Sequence, residues 1–270
     1  KLSPAQVFYD VALSFLAAGG GTIDGQVRTI CGCLTHMVFS FEWFFCLSVW
    51  YIFFLHFVVF VFSWMQGQVW WNNRDDFRPE TVSFRNVNHG LIQDVTFKNP
   101  PGHCMELYAN FMEVANVKVF APSSHAKNPS HNTDAVDVHG SPFHIHDCHF
   151  DTGDDNVAVH SSHVLVENSF FGHGHGASIG GWRSLENITF RNIHFKGTVS
   201  GARLKMGGDS REKGHTLSGV LYEGLTMEDV ERPIDVFTVG HGYTVNGVTF
   251  RNIKSMGRSG GGFQCSSESP

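Results

Sequence analysis

The strongest constraint on this chain is a short unit that recurs seven times between residues 87 and 255. Each copy has an alternating apolar strand, a polar turn carrying Asn, Asp or Glu, and a second short strand. Examples are VNHGLIQDVTFKN (87–99), SHVLVENSFFGHG (162–174), LENITFRNIHFKG (185–197) and YTVNGVTFRNIKS (243–255). Alternation gives each strand one inward face, and the turn residue lets the chain change direction. Such a unit cannot bury its apolar face alone, so it must stack on its neighbours. Coils of about 20 to 32 residues predict an all-β, right-handed parallel β-helix. No segment carries a ten-residue stripe of helical period, so helices should be few. A β-sandwich would need tight Asn-Gly or Asp-Gly hairpins, which are scarce.

A chain of 270 residues is long enough for a sizeable core, and its net charge of −6 argues against a nucleic-acid partner. Six cysteines form neither a zinc pattern nor a dense disulfide framework. Lys1 to Pro4 does not read as a signal peptide, and the last coil ends at Pro270 without an evident polar cap, so a truncated chain is expected.

Composition divides the chain into residues 1–26, an apolar segment 27–66, and residues 67–270. From Val38 to Met65 the only formally charged residue is Glu42. By length this stretch qualifies as a membrane span, since ~20 apolar residues cross a bilayer. Deleting 27–66, however, joins GTIDGQ to GQVWWNN as a continuous turn-and-strand sequence. Val27 has a codon beginning GT, Gln66 can be encoded by CAG, and a Phe-, Leu-, Val-, Ser- and Cys-rich product is what pyrimidine-rich DNA yields. A translated retained intron is therefore preferred, with an anchor over 38–65 or a genuine insertion as alternatives.

Four polar islands interrupt the strands: Asn132-Thr133-Asp134, Gly153-Asp154-Asp155, Gly174-His175-Gly176 and Arg203-Leu204-Lys205. Asp134, Asp154, His175 and Arg203 are separated by 20, 21 and 28 residues, about one coil per step. Stacked coils lie ~4.8 Å apart, so these residues should converge on one groove. Close carboxylates split their pKa values and yield one acid and one base from the same residue type. Histidine titrates near working pH. Arg203 and Lys205 alternate along a strand, share a face and suit carboxylate groups. His139, His144, His146, Cys148 and His149 also cluster in sequence, but without a closed four-ligand spacing, so no metal is expected.

With these residues in view, the chain resembles glycoside hydrolase family 28, the polygalacturonases. The likeness covers residues 19–26 and 67–270, and NTD, GDD, GHG and RLK match its four signature motifs in order. Detail in GHGHGASIG suggests an oomycete-like or microbial branch. The resemblance implies a secreted, monomeric, cofactor-free β-helix that hydrolyses α-1,4 bonds of pectin or polygalacturonate with inversion. It assigns Asp154 as general acid, Asp134 and Asp155 to the attacking water, and His175 to tuning the acid. Asn132, Arg203 and Lys205 would bind substrate. Departures are Asn156 where the family often has cysteine, and Thr238 and Gly240 near the places of a glutamine and a substrate-contacting tyrosine, for which Tyr243 is a candidate substitute. A binding-only pectin protein and a calcium-dependent β-helix lyase are the rival readings.

Overall fold

The computed structural model describes residues 16–17, 21–24, 67–72, 77–121, 129–181, 183–207, 214–239, 243–257 and 264–267. The apolar segment 27–66 lies outside them, as does Gly240. Among the described residues no helix is long and apolar enough to cross a membrane.

The strands form a right-handed parallel β-helix of three columns. The first column stacks the opening residues of Val82–Gln93 and of Met105–Ala115, then Val136–Val138, Val157–Val159, Ala177–Gly181, Ser200–Gly207, Arg232–Val239 and Gln264–Ser267. The second column runs from Leu16–Ala17 through the later parts of Val82–Gln93 and Met105–Ala115. It continues through Phe143–His146, the start of Val164–Phe171, the start of Leu185–Lys196, His215–Glu223 and Tyr243–Arg251. The third begins at Gly21–Asp24 and ends at Lys254–Met256. Every pairing is parallel, as a solenoid with one strand per column per coil requires.

The corner between the second and third columns explains the Asn and Asp of each repeat. Asp94, Asn116, Asp147, Asn168, Asn192 and Asn252 all have φ between 50° and 57°, and Gly224 takes that place at φ 65°. Asn and Asp tolerate this left-handed conformation best among residues with a side chain. Their side chains also link successive coils: Asn116 Nδ2 donates to Asp94 Oδ1 at 2.6 Å, and Asn192 Nδ2 to Asn168 Oδ1 at 3.3 Å. Inside, like residues lie on like. Phe150 stacks on Phe171 at 5.8 Å, and Phe190, Tyr222 and Phe250 form a second stack at 5.0 and 5.3 Å.

One local expectation fails. GQVWWN was expected to be turn and strand, yet Gly67–Asn72 is a short helix. Trp71 is buried, and its indole donates to Pro100 O at 3.1 Å. A tertiary anchor thus overrides the β preference of aromatic and β-branched residues.

Candidate active site

The first three polar islands lie where the chain enters the first column, and the fourth lies inside the strand Ser200–Gly207. Val157 pairs with Ala177, and Ala158 with Asp137, so Asp134, Asp155 and His175 occupy equivalent places on three successive coils. Backbone bonds fix this register: Ala135 N donates to Asp155 O at 3.0 Å, and Asn156 N to Gly176 O at 3.1 Å. Arg203 and Lys205 follow on the next strand, two residues apart and on one face.

The turns are built for close approach. Thr133 Oγ1 donates to Ser130 O at 2.6 Å and accepts from Gly153 N at 2.9 Å, locking the first island to the second. A Cβ on Gly153 would lie 2.1 Å from Ser130 O. Gly176, at φ +83°, would bring a Cβ to 2.1 Å from Ser200 O, so only glycine fits there.

The polar atoms then converge. His175 Nδ1 lies 2.9 Å from Asp154 Oδ1 and 4.0 Å from Asp155 Oδ1. Asp154 also accepts from the Asn132 N–H at 3.1 Å and from the Asp155 N–H at 2.9 Å. Asp155 is fully buried and held by Ser178 Oγ at 2.6 Å, Arg203 Nη1 at 3.1 Å and Lys205 Nζ. Arg203 and Lys205 are therefore both turned toward Asp155. Arg203 Nε lies 3.6 Å from Asp235 as well. The Asn132 side chain is exposed and accepts from Arg78 at 3.0 Å.

Three carboxylates in one cluster take different charge states. Burial alone would raise Asp154, but the hydrogen bond and charge of His175, the Asn132 N–H and Lys205 hold it at about 2. Asp134 is pushed well above the ordinary range by burial, and then by the charges of Asp137, Asp154 and Asp155. Lys205 is raised: burial opposes its charge, and Asp155 overcomes that. A shared proton therefore belongs on Asp134 rather than Asp154.

The sequence profile of glycosyl hydrolases family 28 matches residues 63–259. The chain belongs to this family. It is 32% identical over 181 residues to a probable polygalacturonase of Arabidopsis thaliana, covering 63% of this chain and 37% of that one. It is 29% identical over 206 residues to a probable endopolygalacturonase A of Aspergillus parasiticus, covering 69% and 56%. The chain thus spans little more than a third to just over half of these curated relatives. Among solved structures, the polygalacturonase of Erwinia carotovora superposes with a TM-score of 0.62 at 21% identity, over 72% of this chain and 62% of that one. The expected oomycete or microbial branch is not borne out, with a flowering plant prominent among the relatives.

Within this family 28 site, several groups were not singled out by the sequence reading. Glu106, Asp137, Ser178 and Asp235 share one register position along the first column with Arg203, Ala158 lying between Asp137 and Ser178. His103 lies 2.9 Å from Glu106, 3.3 Å from Asp137 and 3.4 Å from Asp134. The floor continues into an open depression of about 320 Å³ lined by Arg78, Glu80, Gly102, His103, Glu106 and Asn132. Stepping outward from Arg203 one coil at a time would have found the register set, and nothing in spacing marks His103.

The other expected residues disperse. His144 pairs with Glu167 at 2.9 Å and His146 with Glu113 at 3.0 Å, both on the second column. Cys148 is buried and thiol, and His149 lies between the rings of Phe120 and Phe170 on the third. Only His139 of that run faces the first column. Tyr243 lies in the second column, with its hydroxyl 2.7 Å from Gly181 O and 3.1 Å from Arg183 O.

Proposed function

We propose that the chain is the catalytic part of a secreted polygalacturonase that hydrolyses α-1,4-galacturonosidic bonds with inversion. The observation that carries this reading is the joining of Asp154, Asp155, His175, Arg203 and Lys205 through short polar contacts, with Asp134 one coil below. Asp154 is the more open of the adjacent pair, with 17% of its side chain exposed against none for Asp155. In this reading Asp154 protonates the departing glycosidic oxygen, while Asp134 and Asp155 orient the attacking water. His175 sets the proton affinity of Asp154. Arg203 and Lys205 have donors beyond those given to Asp155, and these receive a galacturonate carboxylate. Asn132 shapes the rim above them. A pectic polymer lies outside cells, which is why the reading includes secretion.

One observation favours a second, binding-only reading: Asp154 is held at about 2, short of the proton a general acid needs. A bound uronate excludes water and brings negative charge, and both raise a neighbouring carboxyl. Reducing-end release from polygalacturonate decides between the two. The whole chain is assayed beside one lacking residues 27–66, with Asp154→Asn as control. Release abolished by the control supports hydrolysis. Binding to polygalacturonate without release, in a folded protein, supports the second reading and overturns the first.

A further inference from the structure

Along the first column, beside the aspartate cluster, a second set of groups lies together that the hydrolytic reading does not use. Asp137, His139 and His160 each place one ligand-type atom within 4.8 Å of the others. His139 and His160 come from adjacent coils and stack with ring centroids 4.8 Å apart at 11°. Tyr108 covers the far face of His139 at 4.2 Å. Two rings held parallel in this way present their edges side by side.

The tautomer of His160 is legible. Its Nδ1 lies 2.8 Å from Gly180 O, which accepts and therefore requires N–H at that nitrogen. The neutral ring then turns a lone pair on Nε2 toward Asp137 Oδ1, 3.6 Å away. Histidines that ligate metals are oriented in this manner, with the remote nitrogen donating to a carbonyl. His139 Nε2 likewise lies 3.2 Å from Glu106 Oε2.

The carboxylates are only partly hydrogen-bonded. Asp137 is 3% exposed, yet its Oδ2 has no hydrogen-bond partner, and neither does the buried Oε2 of Glu106. His103 Nδ1 lies 2.9 Å from Glu106 Oε1 and 3.3 Å from Asp137 Oδ2. Glu106 turns its unpartnered Oε2 toward His139, while Asp137 turns Oδ1 toward His160 and Oδ2 toward His103. Buried carboxylates are normally paired or bound to a cation.

We infer that Asp137, His139 and His160 form a site for a zinc-class divalent cation, with Glu106 beside His139. Zinc bonds of ~2.0–2.1 Å place adjacent tetrahedral ligands ~3.3–3.4 Å apart. The 3.6 Å between His160 Nε2 and Asp137 Oδ1 is close to such an edge. A donor set of two imidazoles and a carboxylate suits zinc and its neighbours better than magnesium or calcium, which favour all-oxygen shells. The inference is independent of the hydrolytic reading.

Zinc titration of the whole chain by calorimetry tests it. One equivalent should bind, with affinity falling at least tenfold in His139→Gln and in His160→Gln, and unchanged in His144→Gln. The two histidine side chains are 22% and 26% exposed, so glutamine fits without refilling a core. Cobalt in place of zinc should give the intense visible bands of four-coordinate geometry, and these should be lost in the same two variants. Absence of zinc binding overturns the site, as does stoichiometric binding that survives both variants. Loss in His175→Gln with retention in His160→Gln would place the ion among Asp154, Asp155 and His175, and overturns it equally.

Discussion

Asn156 Oδ1 accepts the Gly176 N–H at 2.9 Å, while Asn156 Nδ2 reaches Phe150 O and His173 O, each at 3.0 Å. A buried amide therefore ties the Asp154-Asp155 turn to the His175 turn, where the family resemblance leads one to expect a cysteine. Asn156→Ala would strand the Gly176 N–H, while Phe150 O and His173 O keep the backbone bonds they accept from Gly172 and Thr152. At ~1–3 kcal/mol for an unsatisfied buried group, the expected loss is about 1–3 kcal/mol. Urea unfolding measures it, and a loss near zero would refute the clamp.

Asp154→Asn should lower kcat on polygalacturonate by ~10²–10⁴, the usual worth of a positioned general acid. KM should change little, because substrate carboxylates are assigned to Arg203 and Lys205. Steady-state kinetics separate the two effects.

His175→Ala gives a signed pH effect. Burial favours the neutral carboxyl at Asp154, and His175 is the foremost influence opposing it. Without the imidazole the Asp154 pKa rises from about 2. The protonated form does the work, so the alkaline limb of the kcat profile moves to higher pH while kcat itself falls. A limb displaced to lower pH would contradict the assignment.

Gly180 makes room for the Lys205 stem. A Cβ there would meet Lys205 Cγ at 2.9 Å and the Lys205 carbonyl oxygen at 3.1 Å. Gly180→Ala and Lys205→Met should each raise KM severalfold, and the double variant should be no worse than Lys205→Met alone. Residues in contact are expected to be non-additive. Additive effects would show that Gly180 acts elsewhere.

Asp134 is buried, and its Oδ1 has no hydrogen-bond partner. Its folded pKa lies well above the unfolded value of 3.8, so the folded state holds the proton longer and stability falls as pH rises through that interval. Asp134→Asn removes the slope and should stabilise the protein near neutrality by about 0.5–2 kcal/mol, with activity lost. Melting temperature against pH reads both the slope and the gain.

The architecture was legible because two local signals agree. Alternating apolar residues set the strands, and Asn or Asp at the left-handed corner sets the coil. Asp134, Asp154, His175 and Arg203 were legible because their steps of 20, 21 and 28 residues approximate coil lengths. Glu106 and Asp137 were not, since variable turns hide which residues pair until the register is known. Asp134 lies three residues before Asp137, an odd step that alternation along a strand cannot relate. The helix at Gly67–Asn72 was hidden for another reason: Trp71 is anchored by Pro100, a contact no local pattern encodes.

Because Asp134, Asp155 and His175 each belong to a different coil, their spacing is set by the backbone ladder of the first column. Groove length and reaction chemistry are thereby separable. Adding a whole coil beyond either end lengthens the ruler by about 4.8 Å and leaves the reacting groups in place. One extra residue inside Val157–Val159 would instead reverse the side chains in the rest of that strand and break its register with the neighbouring coils. Evolution can thus tailor how much polymer such a molecule grips by copying coils, a change in dose rather than in kind.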